Sequence, residues 1–200
     1  MTLPAEFDLS GRVAIVTGGG TGIGRATAIL LAERGADVAV CGRRLDKVEE
    51  AAERIREQGR RALAVQADVR DPEDCRRLMA TVAAELGRID ILINNAGGAH
   101  GHVGLARMDP AKWDQDVQLN LSASMYCSQA ALPHLRESKG CIVNVSSLAG
   151  VHGTLGVGAY SAAKAGLQMF TRVASSEWGP YGIRVNCIAC GMIATEIARQ

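Results

Sequence analysis

The sequence predicts an α/β fold: a doubly wound parallel sheet of Rossmann type with strand order 3-2-1-4-5-6. Three observations predict it. Six short apolar runs alternate with longer helical patterns along the whole chain. Aromatics are scarce at 4%, so the core is built from Ala, Val, Ile and Leu, as a sheet covered on both faces by helices tends to be. Each strand is separated from the next by a helix, so the units are parallel βαβ crossovers, whose right-handedness fixes the order.

The elements follow in order. Arg12–Thr17 is the first strand and runs into glycines; Gly22–Arg34 is a helix that Gly35 stops. Asp37–Cys41 is strand two, and Leu45–Gln58 an amphipathic helix closed by Gly59. Ala62–Gln66 is strand three. Asp71-Pro72 then reads as an N-cap followed by a proline at the first helical position, and that helix ends at Leu86-Gly87. Ile89–Ile93 is strand four. After a Gly- and His-containing loop, Asp109-Pro110 repeats the cap-plus-proline start, and one long helix is expected to about Glu137. Cys141–Val145 is strand five, a helix spans about Ala159–Trp178, and Ile183–Ile188 is strand six.

The chain's 200 residues, 48% hydrophobic and 22% charged, fit one soluble globular domain, 1–200. A net charge of +1 with both signs dispersed gives no footprint for nucleic acid or a membrane surface. Met1–Ser10 carries Glu6 and Asp8 and no apolar leader, and no apolar run reaches membrane-spanning length, so a cytoplasmic protein is expected. Of six cysteines only Cys187 and Cys190 have C-x-x-C spacing. No second pair completes a four-ligand site, so they read as free thiols, and no metal is expected.

In a sheet of this order, ligands bind beyond the carboxyl ends of the strands where the order reverses, between strands one and four. Strand one ends in Thr17-Gly18 and strand four runs into Asn94-Asn95-Ala96-Gly97. The loop Gly18-Gly19-Gly20-Thr21-Gly22-Ile23-Gly24 lets backbone N–H groups approach a pyrophosphate at a helix N-terminus, although it is not the generic G-x-G-x-x-G.

Taken together, Thr17-Gly18-x₃-Gly22-Ile23-Gly24, Asn94-Asn95-Ala96-Gly97, Ser147, Tyr160-x₃-Lys164 and Asn186 resemble the short-chain dehydrogenase/reductase family over essentially the whole chain. The resemblance implies an enzyme that interconverts a carbonyl and a secondary alcohol with a nicotinamide cofactor. It implies cofactor contacts from Gly18, Thr21, Gly22, Ile23, Gly24, Asp68, Val69, Asn94, Ala96, Gly97, Tyr160, Lys164, Ile193 and Thr195. Strand two ends with Gly42 where an NAD-type site carries an acid. Arg43 follows and can fork onto a 2′-phosphate, so NADP(H) is favoured over NAD(H).

Tyr160 is expected to exchange the proton. Lys164, one helical turn on, shares its face and is expected to lower the phenol's pKa by about 2–3. Ser147 would hold the substrate oxygen where charge develops, with Ser146 as the competitor that family spacing rejects. The resemblance gives Asn120 the task of holding a water beside the lysine.

The chain departs from the family's Asn-x-Ile-x-Pro-Gly after strand six, with Cys190 in place of the proline. It also stops at Gln200, inside the expected substrate lid, so the lid and a seventh strand are expected to be missing and the C-terminus incomplete. His100, His102 and His152 lie in loops bordering the expected pocket and read as ordinary loop residues. Helix 110–137 is apolar over much of its circumference through Trp113, Val117, Leu121, Met125, Ala130, Ala131 and Leu135, and helix 159–178 is rich in small and apolar residues on more than one face. A homodimer or homotetramer through them is expected. Two other readings stay open: a reductase of enoyl- or dienoyl-thioester C=C bonds, and a non-catalytic NADP(H)-binding sensor or interaction subunit.

Overall fold

Six parallel strands line up as β3-β2-β1-β4-β5-β6 in the computed structural model, which describes residues 7–99 and 101–195. They are β1 (Val13–Thr17), β2 (Asp37–Gly42), β3 (Ala62–Gln66), β4 (Ile91–Asn94), β5 (Cys141–Ser147) and β6 (Arg184–Cys190). The helices are α1 (Gly22–Glu33), α2 (Leu45–Arg56), α3 (Pro72–Leu86), α4 (Pro110–Val117), α5 (Ala123–Ser138), α6 (Ala149–His152) and α7 (Gly158–Trp178). The fold class and strand order are those the sequence predicts.

Alternation along the strands sorts the core into two layers. Val13 and Ile15 of β1 face a cluster with Leu78, Met79 and Val82 of α3 and Cys127, Ala131 and Leu135 of α5. Ala14 and Val16 face the other side, where Ala28 and Ala32 of α1 and Val48, Ala51 and Ile55 of α2 cover the sheet. Central side chains such as Ile15, Leu92 and Ile142 are sealed from solvent, each contributing about 2–3 kcal/mol of transfer free energy.

The predicted punctuation works as chemistry. Asp71 accepts a hydrogen bond from the Glu73 N–H at 2.9 Å, with Pro72 opening α3 and Gly87 in the left-handed region closing it. Asp109 does the same for the Ala111 N–H at 2.9 Å. At the amino ends of the strands, buried Asp90 accepts from Arg12, Arg88 and the Val13 N–H, tying β4 to β1.

The single long helix expected from 110 to 137 is corrected. A π-helical turn over Gln118–Ser122 separates α4 from α5. The Asn120 Nδ2 donates to the Asp116 carbonyl at 2.9 Å, so a side chain occupies an acceptor that the helical ladder would use. Strand four is also later than expected, with Ile89 and Asp90 preceding it. Short helical turns at Leu105–Arg107, Ala149–His152 and Gly179–Tyr181 occupy stretches with no periodic signal. Among the described residues, no helix is long and apolar enough to cross a membrane.

Candidate active site

The carboxyl ends of the strands open into a cleft of about 570 Å³. Its lining runs from Gly42, Arg43 and Lys47 past Gly18, Thr21, Gly22 and Ile23, beside Asp68, Val69, Ala96 and Gly97, to Ser147, Tyr160, Lys164 and Cys190. A cleft of this size at the switch point fits a small organic ligand.

One wall is the glycine loop. No acidic residue stands in the first turn of α1, and Thr21 makes no side-chain cap hydrogen bond. The positive end of that helix, with its unpaired N–H groups, therefore faces the cleft. Gly24 does not line the cleft. It lies behind the loop, where a Cβ would collide with the Gly18 carbonyl oxygen and the Asn95 amide. Thr195 reaches the loop from the other end of the chain, its Cγ2 3.4 Å from where a Gly22 Cβ would sit.

The segment after β4 is stitched to this loop. The Thr17 hydroxyl accepts from the Asn95 and Ala96 N–H groups, both at 3.0 Å, and the Asn95 side-chain amide donates to the Thr17 and Gly18 carbonyls at 2.9 and 3.2 Å. Thr17 and Asn95 were not among the expected site residues. The duplicated asparagine was the signal that could have found one of them. Asn94, expected to touch the cofactor, does not line the cleft with its side chain. Its side chain is buried away from the cleft and donates to Asn144 Oδ1 at 2.8 Å and Ser128 Oγ at 2.9 Å. Strand alternation sends the two neighbours to opposite duties.

At the far corner, Arg43 and Arg44 are exposed and line the cleft, and the β2 end carries no carboxylate. Lys47, which the sequence reading missed because it belongs to α2, joins them and pairs with Glu50 at 2.6 Å. Asp68 lines the wall, but its carboxylate is forked by Arg70 at 3.0 and 3.1 Å from Nε, and those hydrogen bonds hold its pKa below the ordinary value. Its Oδ1 also accepts from the Arg70 N–H at 3.1 Å, which is the local turn-capping role.

The opposite corner gathers Ser147, Tyr160, Lys164 and Asn120, the four residues expected to carry the chemistry. Ser147 ends β5, and its Oγ accepts from the Ala149 N–H at 3.1 Å. The Tyr160 hydroxyl, in the first turn of α7, is hydrogen-bonded to Ser147. Ser146, on the alternate face, is buried and spends its hydroxyl on the Lys164 carbonyl at 3.0 Å, which separates it from Ser147. Lys164 Nζ donates to the Val145 carbonyl at 2.7 Å and sits 5.7 Å from the Tyr160 ring centroid. Asn120 is fully buried behind this corner, its Oδ1 accepting from the Gly98 N–H at 3.0 Å and its Nδ2 donating to the Gly98 carbonyl at 2.8 Å. Asn120 and Lys164 converge on Gly97, where a Cβ would lie 2.8 Å from Asn120 Oδ1 and 3.1 Å from Lys164 Nζ. Only glycine leaves room there for both.

The electrostatics correct one expectation. Burial pushes the Tyr160 phenol above its ordinary value; the Ser147 hydrogen bond opposes that, while Cys190 and Asp116 add to it. The lowering expected from Lys164 is not present, because its ammonium is directed at the Val145 carbonyl rather than the phenol oxygen. Lys164 is itself 4% exposed, and burial drives its pKa down to about 8.

Ile193 is exposed and does not line the cleft. His100 lies outside the described residues. His102 packs against Gly156, and His152 is exposed on α6. Cys187 and Cys190, three apart on a strand, face opposite sides of the sheet, and only Cys190 lines the cleft. Among the described residues, no three His, Cys, Asp or Glu side chains gather as a metal site.

Comparison with known proteins agrees with this geometry. The family model for short chain dehydrogenases matches residues 12–200. A cis-4-hydroxycyclohexanecarboxylate dehydrogenase of Sinomonas cyclohexanicum is 43% identical over 187 residues, 93% of this chain and 75% of that protein. A Pseudomonas aeruginosa RhlG structure, an NADP active-site complex, superposes with a TM-score of 0.93 at 33% identity, covering 98% of this chain and 78% of that one. A carveol dehydrogenase of Mycobacterium avium in complex with NAD gives a TM-score of 0.88 at 30% identity, over 90% and 70% of the two chains.

Proposed function

From a chain that belongs to the short-chain dehydrogenase family and is an oxidoreductase of that family, we propose an enzyme that interconverts a small-molecule carbonyl and a secondary alcohol using NADP(H). The observation that carries this reading is the meeting of Ser147, Tyr160 and Lys164 at the closed end of a glycine-walled cleft. The cleft's residues fit a dinucleotide. The α1 N-terminus offers N–H groups to a diphosphate, Gly18 and Gly22 leave its approach unobstructed, and Val69 and Ala96 offer an apolar wall for a base.

When bound, the nicotinamide supplies hydride to a carbonyl carbon or takes it from an alcohol. The chain's own residues handle the oxygen. Ser147 Oγ holds it where negative charge develops, and the Tyr160 hydroxyl gives it a proton in reduction or removes one in oxidation. Lys164 supplies positive charge beside that exchange, and its proton is mobile near neutral pH because burial has brought its pKa to about 8. Asn120 holds Gly98 and so keeps the floor of the corner open.

The NADP(H) preference rests on charge. Arg43, Arg44 and Lys47 line the cleft at the end of β2, and β2 itself ends in Cys41-Gly42 without the acid that would hold a ribose hydroxyl. The relatives solved with NADP and with NAD support the dinucleotide, and this corner supports the phosphorylated one. We extend the reading to assembly through α5 and α7, where Met125, Met169 and Val173 are 36%, 53% and 48% exposed. Ala131 and Leu135 do not contribute, because both face the core.

The deciding experiment follows loss of NADPH absorbance against ketones, ketoesters and enoyl thioesters, for wild type and Tyr160→Phe. Carbonyl turnover that the phenylalanine abolishes supports the reading. Turnover that survives the substitution, or turnover of enoyl thioesters alone, overturns it.

A further inference from the structure

Two cysteines that the chemistry above does not use meet in the core beneath the cleft wall. Cys75 lies in the first turns of α3 and Cys127 in α5; they are 0% and 1% exposed, with their sulfurs 3.5 Å apart. The Cys75 thiol also donates to the Val69 carbonyl at 3.4 Å. Val69 belongs to the loop between β3 and α3 and lines the cleft. That loop has few other anchors on α3. One is the Asp68 N–H, which donates to Asp74 Oδ2 at 2.8 Å. The Cys75 sulfur thus links two structures: the helix pair behind the sheet and the loop at the cleft.

We propose that Cys75 and Cys127 form a redox-sensitive pair which a peroxide closes into a disulfide, releasing the Val69 loop from α3. A disulfide needs the sulfurs at about 2.05 Å, an approach of roughly 1.5 Å from their present contact. With the Cys75 hydrogen spent on the Val69 carbonyl, the Cys127 thiol is left to donate to Cys75, which makes Cys75 the readier of the two to ionise and Cys127 the more reluctant.

The steps balance. The Cys75 thiolate sulfur attacks one peroxide oxygen; the O–O bond breaks, hydroxide leaves, and Cys75 becomes a sulfenic acid. The Cys127 sulfur then attacks the Cys75 sulfur. The S–S bond forms, the S–O bond breaks, and the oxygen leaves as water with the Cys127 proton. Two thiols are oxidised by two electrons, and one peroxide is reduced to two waters. The disulfide has no S–H, so the Val69 carbonyl loses the Cys75 donor. Because both sulfurs are sealed, oxidation runs at the rate at which the start of α3 opens.

The test uses the intact, reduced protein in native buffer. It is treated with hydrogen peroxide, its remaining thiols are blocked, and it is digested without reductant. The expected product is a cross-linked peptide pair joining Cys75 to Cys127, with faster amide exchange over residues 67–71, by about twofold, as the loss of one weak S–H donor allows. Reductant restores both. The inference is overturned if Cys75 and Cys127 are both recovered as blockable thiols after unfolding while half-exposed Cys187 and Cys190 have oxidised. It is also overturned if the cross-link forms only in protein unfolded beforehand, or joins Cys75 to Cys41. Neither measurement needs a bound cofactor. A matching loss of NADP(H) affinity rests on the function proposed above, and its absence beside an intact cross-link would count against that function rather than against the thiol pair.

Discussion

Replacing Lys164 with methionine should change how the protein's stability depends on pH. The lysine is sealed in the core with a pKa of about 8 against 10.5 for the free side chain. The gap corresponds to about 3 kcal/mol of cost for keeping the ammonium buried. Below pH 8 the folded and unfolded chains both carry the proton, and the folded state bears that cost in full. Between the two values the unfolded chain still holds the proton while the folded one has released it, so stability rises with pH. Above 10.5 both are neutral and the cost is gone. Methionine has a similar stem and nothing to titrate. The unfolding free energy of wild type relative to Lys164→Met should therefore climb from neutral pH upward, by about 2.5 kcal/mol at pH 10. Near neutral pH the variant loses the hydrogen bond to the Val145 carbonyl, a loss of about 1–3 kcal/mol, so the two proteins should be close in stability there. Urea titrations followed by the fluorescence of Trp113 and Trp178 at several pH values measure the difference directly. If the two stability curves run parallel between pH 7 and pH 10, the lysine is not held as a costly cation and the proton chemistry assigned to it fails.

Four further outcomes can be checked. Tyr160→Phe should lower turnover by about 10²–10⁴-fold with the dinucleotide affinity unchanged by fluorescence titration; weakened binding of the same size would make residue 160 a binding group only. Arg43→Ala should weaken NADPH by about tenfold, the worth of a charge-assisted hydrogen bond, and leave NADH alone, with equal weakening of both ending the NADP(H) assignment. Asp90→Ala should cost about 3 kcal/mol in chemical denaturation, because a buried N–H and two guanidinium groups lose one shared acceptor. Charge introduced as Met169→Glu and Val173→Lys should leave a monomer in light scattering if α7 is an assembly face, and an unchanged mass would remove that face from consideration.

The sheet was legible because burial on both faces writes long apolar runs, and because Gly35, Gly59 and Gly87 mark where helices end. Ser147, Tyr160 and Lys164 were legible as a spaced set whose members the fold then brings to one corner. What was not legible depends on three-dimensional accounting. A string of letters cannot show that Asn120 competes with its own helix for the Asp116 carbonyl, so the π-helical turn was missed. Neither can it show which of two adjacent asparagines points inward, or that Lys47 reaches the same corner as Arg43. The phenol's environment was misjudged for a related reason: sequence spacing puts a cation one turn away, but only the atoms show the ammonium aimed at a backbone carbonyl.

The widened turn at Gln118–Ser122 has a consequence for how this region can change length. It adds one residue to the helical count, so α5 leaves it rotated by about 100° relative to a continuous α-helix. The stripe of Cys127, Ala131 and Leu135 meets the sheet only with that offset in place. Removing any one residue from the turn would let the two helices merge smoothly. The shortened, continuous α-helix would keep that stripe on the sheet, because losing one residue cancels the same 100° offset, but it would remove the widened turn from which residue 120 reaches Gly98. Insertions and deletions in this stretch are therefore coupled to the corner where Ser147, Tyr160 and Lys164 meet although none of them need fall inside it.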